Sequence, residues 1–504
     1  MEMQRLSALD ASFLDFEDAV SHMHIGSVGV FEGPAPSREE LAAVLTARLP
    51  LVPRYRQVVR RAKLGIGRPL WVDDPHFNID YHVRSTGIPA PGGDGELQRV
   101  VARVMSHQLD RNKPLWETWI VEGLDEGRWA LISKIHHCMA DGVAGTDLIT
   151  ALLDQEPTPA APVMEATPSA APSPSLREDT LSGAPSRAQA GKQVGGPAQA
   201  GWRAQPPPNA LAELTDTFGG LAALPWKAAR ALSSPGQLLE RGGETGRGLL
   251  RLSAVSIPPP ASSLNGSLSS QRRWSWARAQ LSDVKQVGRT LGGTINDVVL
   301  ACITGGFRAL LLSRGESAER VVRTLVPVSV RSSGQRGLYD NRVSAMFADL
   351  PVGIEDPVQR LHSIRDQMGA LKDSHEAVAG EMLTSLAGLT PPLLLSLAER
   401  LATRVPQHNV NTVTTNVPGP RGPLFACGRR MLESFPYVPL GGHVLIGVAI
   451  YSYDGACTFG VTGDYDAAPD IDVLCEGIER ELGELLARSG PAPSRAHRHH
   501  GAHA

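Results

Sequence analysis

Apolar residues recur along this chain with two different periods. Leu97, Val100, Val101, Val104 and Met105 fall at three- and four-residue steps, which predicts one buried face of a helix. Ser37 followed by Glu40 predicts a capping box opening a helix that runs to about Arg48. Shorter apolar runs predict strands at 71–84, 117–122 and 129–135, and again at 273–280, 321–330, 342–350, 443–451 and 457–464. Further helices are predicted at 294–313, 356–371, 391–404 and 469–487. Strands and helices interleave irregularly, and several strands lie close together in sequence. This predicts an α/β chain with mixed sheets and flanking helices, not a doubly wound parallel sheet.

Between the two patterned regions the periodicity fails. Residues 156–208 are Ala, Pro, Ser, Gly and Gln with few large apolar side chains, and such a run cannot bury enough surface to offset its ordering entropy. Leu211, Leu214, Phe218, Leu221 and Leu224 then predict an amphipathic helix at about 209–225. It either packs on the domain surface or faces lipid, and its few cations argue against a purely electrostatic membrane role. Residues 233–270 are again rich in Gly, Ser and Pro. The expected organisation is an N-terminal domain at 1–155, a linker at 156–268, a C-terminal domain at 269–490 and a polar tail at 491–504. The histidines of that tail, from His497 to His503, read as part of a disordered segment and not as a metal site.

Composition narrows the field. Of 504 residues, 42% are hydrophobic and 20% charged, which supports a packed core. A formal net charge of −3 argues against binding nucleic acid or an anionic membrane through bulk charge. The five cysteines have no CxxC spacing, so neither a zinc site nor a disulfide framework is expected, and a reducing cytoplasm suits them. The first ten residues lack an apolar core, so no secretory leader is expected. No apolar run reaches the roughly 18 uninterrupted residues that span a bilayer. A soluble or peripheral protein is expected.

The densest polar cluster on an apolar background is His136-His137-Cys138-Met139-Ala140-Asp141-Gly142, directly after the 129–135 strand. Adjacent strand side chains point to opposite faces, so only one of the two histidines easily faces a given cavity. Imidazole is a natural general base near neutral pH, Asp141 could fix its tautomer or the loop, and Gly142 permits a tight turn. A metal site lacks a second ligand cluster, and a Ser/His/Asp hydrolase lacks a GxSxG elbow. Taken alone, the pattern leaves a catalytic base and a hydrogen-bonded structural histidine both open.

The pattern has company. His136, His137, Asp141 and Gly142 match the HHxxxDG signature of the bacterial wax ester synthase/acyl-CoA:diacylglycerol acyltransferase family, which the sequence resembles. Pro114-Leu115-Trp116 matches its PLW element, Asn296-Asp297 its ND element, and Asn416 to Pro420 its NVPGP element. Leu6 to Ala11, with His24 opening a glycine-rich strand, is similar to the family's N-terminus. The matches keep the family's order over about residues 6–485, leaving out the linker.

The resemblance implies two chloramphenicol-acetyltransferase-like domains with a channel at their interface. It implies acyl transfer from acyl-CoA to diacylglycerol or a long-chain alcohol, with His137 as base and no acyl-enzyme. Acyl-CoA is then a co-substrate, and no other cofactor or metal is expected. His136, Asp141, Gly142 and Asn296 are carried over as active-site residues, and Pro114, Leu115, Trp116 and Asp297 as substrate-binding ones. Helix capping is the plain reading of Thr294, Asn296 and Asp297, and a rigid turn that of 416–420. Arg331, Arg342 and Arg421 are candidates for the CoA phosphates by their place near strand ends or turns. Another alcohol acceptor, or a carrier-protein condensation domain, is the competing reading. An apolar substrate without a membrane span implies a cytoplasmic protein that associates peripherally with membrane or lipid-droplet surfaces.

Overall fold

The computed structural model describes residues 4–61, 68–139, 152–157, 262–319, 321–329, 343–373 and 410–490. Residues 158–261 of the predicted linker, with its amphipathic helix, lie outside these residues, as do the 391–404 helix and the polar tail. So do Asp141, Gly142, Arg331 and Arg342.

The first half runs α1 (Ala8–Phe16), β1 (His24–Phe31), α2 (Arg38–Arg48), β2 (Gln57–Arg60), β3 (Leu70–Asp73), α3 (Ile79–His82), β4 (Val83–Gly87), α4 (Asp94–Ser106), β5 (Trp116–Glu122) and β6 (Trp129–His136). The second half runs β7 (Arg272–Gln280), α5 (Leu281–Leu291), α6 (Ile295–Ser313), β8 (Val322–Ser329), β9 (Val343–Leu350), α7 (Pro357–Asp373), β10 (Thr412–Pro418), β11 (Phe425–Ala426), β12 (Arg429–Tyr437), β13 (Ile446–Tyr453), β14 (Ala456–Asp464) and α8 (Ile471–Ser489). The described strands form two six-stranded sheets, ordered β11-β12-β1-β6-β5-β4 and β7-β14-β13-β10-β8-β9, besides the β2–β3 pair. Both large sheets are mixed: β4–β5 and β10–β13 are parallel, while β1–β6 and β13–β14 are antiparallel. The expected mixed α/β architecture is the observed one.

The halves are laced together. β12 belongs to the second half in sequence but ladders antiparallel onto β1, with Val28 opposite Phe435. It crosses β14 so closely that a Cβ on Gly460 would sit 1.8 Å from the Pro436 carbonyl oxygen, leaving room for glycine alone. Trp274 and Trp276 of β7 in turn join the apolar core beneath α4, beside Val101 and Phe435.

The second half is organised around α6, which is long and apolar enough to cross a membrane but lies 72% buried in the protein. Thr294 caps it, and its Gly306 meets Gly477 of α8: a Cβ on Gly306 would come within 2.8 Å of the Leu474 carbonyl. Small residues at this crossing let the two helix backbones touch. The glycines that interrupt the apolar run in sequence are therefore packing residues.

Two segments differ from the sequence expectation. The predicted 71–84 strand is broken, because the Asp74 carboxylate accepts the His76 N–H at 2.9 Å and Asn78 caps the one-turn helix α3 before β4 begins. Asn416 to Pro418, read as a turn, continue β10 in register with Ile450 to Ser452 of β13, and the turn comes only afterwards. Pro418 is tolerated because it ends the strand. α5 and β12 are not among the predicted elements, although Leu281, Val284, Val287 and Leu291 give α5 a helical period.

Candidate active site

Strand β6 delivers the histidine pair. Every second side chain shares a face, so Lys134 and His136 point together into the first half, and both are completely buried. Lys134 Nζ donates to the carbonyls of Val104, at 2.9 Å, and His107, where α4 ends and its dipole favours a cation. Burial pushes this lysine down to about 8.

His136 lies opposite His24 in the β1–β6 ladder, with the two rings edge-on at 6.0 Å. Between them sits a carboxylate the sequence reading did not single out. Glu17 places Oε1 3.3 Å from His24 Nε2 and Oε2 3.5 Å from His136 Nε2. Arg111 donates to the same Oε2 at 2.6 Å. Burial alone would raise the Glu17 carboxyl, but the side-chain hydrogen bonds from His136 and His24 outweigh it and hold it low. Burial likewise depresses His24 to about 3, so this ring is neutral at neutral pH. The His136 Nδ1 accepts the Cys138 N–H at 3.1 Å, which leaves the ring proton on Nε2, toward Glu17. His136 is thus a buried member of a polar network. Glu17 sits in the run Asp15-Phe16-Glu17-Asp18, which in sequence resembles any solvated helix end.

His137 is the partly exposed member of the pair. Its backbone N–H donates to the Met23 carbonyl at 2.8 Å, and its ring stacks on Phe13 of α1 with centroids 3.9 Å apart and planes 18° off parallel. The following turn is closed by Met139 N–H to the His136 carbonyl at 2.9 Å. Cys138 is fully buried, and burial pushes its thiol well above the usual range, so it is no ready nucleophile.

The Pro114-Leu115-Trp116 element holds the same strand end. The Leu115 carbonyl accepts the His136 N–H at 2.9 Å. Trp116 donates its indole N–H to the Tyr55 carbonyl at 2.8 Å and stacks on His82 at 4.4 Å. Leu115 and Trp116 are each 1% exposed, so here they act as a buried buttress.

On the second half, Asn296 sits in the first turn of α6, and Asn416 Nδ2 of β10 donates to its Oδ1 at 3.4 Å. Asp297 closes the capping box instead: its Oδ2 accepts from Thr294 N at 2.7 Å and Oγ1 at 2.8 Å. The structure therefore groups the predicted residues as His136 with Leu115, and Asn296 with Asn416. Arg421 is exposed. Among the described residues no group of three His, Cys, Asp or Glu is arranged to hold a metal. A separate cleft of about 730 Å³ opens between α4, β7 and α8, lined by Arg99, Arg103, Arg273 and Tyr465 and by none of the histidine pair.

Comparison with known proteins follows the same line. Residues 6–299 match the wax ester synthase/diacylglycerol acyltransferase catalytic domain, and residues 339–486 match the C-terminal domain of that family. The chain is 37% identical over 490 residues, 97% of its length, to a Mycobacterium tuberculosis protein named as a probable diacylglycerol O-acyltransferase, tgs1, of which 96% is covered. The solved wax ester synthase/diacylglycerol acyltransferase of Marinobacter aquaeolei superposes with a TM-score of 0.63 at 24% identity, covering 97% of this chain and 100% of that one. The first condensation domain of the calcium-dependent antibiotic synthetase shares the fold at a TM-score of 0.58 and 16% identity, covering 98% and 97% of the two chains. This chain is an acyltransferase and belongs to the wax ester synthase/diacylglycerol acyltransferase family.

Proposed function

We propose that this acyltransferase moves a fatty acyl group from acyl-CoA to the hydroxyl of diacylglycerol, and also to long-chain alcohols, with His137 as the general base. The observation that carries the reading is the inequality of the histidine pair. His136 is buried and bonded to Cys138 N–H, whereas His137 is partly exposed at the strand end. A base must reach the proton it takes, and only the second ring has that access.

The acceptor hydroxyl is too weakly acidic to ionise beforehand, so proton transfer to His137 accompanies attack on the thioester carbonyl. The C–O bond forms and the carbonyl becomes an oxyanion. Its collapse breaks the C–S bond, and His137 returns the proton to the CoA thiolate. No acyl-enzyme intervenes. Asn416 orients the Asn296 amide through Oδ1, and this supports Asn296 Nδ2 as a donor to the oxyanion.

The apolar acceptor supports peripheral association of a cytoplasmic protein with membrane or lipid-droplet surfaces. Five free, buried cysteines suit that reducing compartment. The activity test is incubation of purified protein with palmitoyl-CoA and either dioleoylglycerol or hexadecanol. Ester formed with CoA release supports the reading, and folded protein that forms no ester with either acceptor overturns it. Flotation with phosphatidylcholine vesicles containing diacylglycerol tests the surface: protein that stays at the bottom of the gradient contradicts it.

A further inference from the structure

The face of His137 is covered by an aromatic ring that no part of the HHxxxDG signature contains. Phe13 lies against it at 3.9 Å between centroids and 18° between planes. We propose that Phe13 is a positioning residue for His137, holding the imidazole plane so that its edge nitrogen stays aimed at the acceptor hydroxyl. The inference rests on His137 being the base.

Phe13 is itself held on a rigid element. Ser7 caps α1, its side chain accepting the Asp10 N–H at 3.0 Å. The helix is pinned along its inner side by buried Ala11 and Leu14. Its far end is clamped by Arg111, which donates to the Leu14 carbonyl at 3.0 Å and to Glu17 at 2.6 Å. The Glu17 N–H closes on the Phe13 carbonyl at 3.3 Å. On the other side, the Met23 carbonyl fixes the His137 backbone at 2.8 Å. A ring on a clamped helix end thus faces a ring on a clamped strand end.

The chemistry needs such a device. Rotation of an imidazole about its χ2 bond moves both nitrogens off line, and a misplacement of about 1 Å costs on the order of 10²-fold in rate. A flat neighbour blocks that rotation while leaving the ring edge open. The π face also favours the positive charge that the ring takes up as it accepts the proton. An aliphatic side chain of similar volume fills the space but supplies neither the plane nor the quadrupole.

The test compares Phe13→Leu, Phe13→Tyr and His137→Ala with the parent protein in the palmitoyl-CoA and dioleoylglycerol assay, with thermal unfolding measured alongside. Phe13→Leu is expected to lower kcat roughly tenfold with KM for both substrates within about twofold. Phe13→Tyr, which keeps the aromatic face, is expected to restore most of the loss. A purely structural role predicts a change in unfolding temperature without that split and without rescue. An inactive His137→Ala beside a fully active Phe13→Leu, or a Tyr variant as impaired as the Leu variant, overturns the role of Phe13 alone. An active His137→Ala overturns the assignment of the base itself.

Discussion

The Glu17 carboxylate lies 3.5 Å from His136 Nε2, and so ties the end of α1 to the end of β6. Glu17→Gln keeps the shape and removes the charge that Arg111, His24 and His136 surround. A buried charge network that loses one member is destabilised, here by about 2 kcal/mol given the half-exposed Arg111. Chemical denaturation is expected to show an earlier midpoint with an unchanged slope. A midpoint identical to that of the parent protein contradicts the network.

Acid should weaken the fold through the same cluster. His24 titrates near 3 in the folded chain and near 6.5 when unfolded, so between these values the unfolded state binds the extra proton. Stability is therefore expected to fall as pH drops below about 6.5, and Glu17, held low, adds to the loss below about 4.5. Unfolding temperature measured from pH 7 to pH 4 should decline less steeply in His24→Gln. Parallel curves for the two proteins contradict the role of His24.

Trp116 is expected to matter to the fold before it matters to the substrate. Trp116→Phe keeps an aromatic ring against His82 but leaves the Tyr55 carbonyl without its indole partner. The cost is about 2 kcal/mol, read from denaturant midpoints. KM for acyl-CoA is expected to stay within about twofold. A raised KM with unchanged stability contradicts the buttress and favours direct substrate contact.

At the start of α6 the helix cap and the Asn296 contact from β10 separate cleanly. Thr294→Ala removes the cap and is expected to cost about 1 kcal/mol of stability. Asn416→Ala leaves the cap intact and frees the Asn296 amide, so kcat is expected to fall about tenfold while the unfolding temperature holds. Unchanged turnover in Asn416→Ala removes this pair from the chemistry.

Much of the fold was legible because its elements obey local rules. The α4 stripe, the Ser37 and Thr294 caps and the β6 run that ends in His136 are each written in a few adjacent residues. Non-local devices were not legible. Whether Asn416 stands in a turn or a strand depends on β13 beside it, not on its own Pro-Gly neighbours. β12 pairs with a strand some four hundred residues earlier in the chain. The site divides the same way. The polar cluster after a strand exposed His136 and His137, and the family resemblance added Pro114 to Trp116 and Asn296, whereas Phe13 and Glu17 acquire meaning only when α1 is folded against β6.

The central claim is that His137, and not its buried neighbour, removes the acceptor proton. Its most direct test is the rate of CoA release from palmitoyl-CoA with dioleoylglycerol, measured for His137→Ala in protein whose unfolding temperature matches the parent. A loss of about 10²- to 10⁴-fold in kcat with KM little changed is the predicted result. Turnover equal to that of the parent contradicts it.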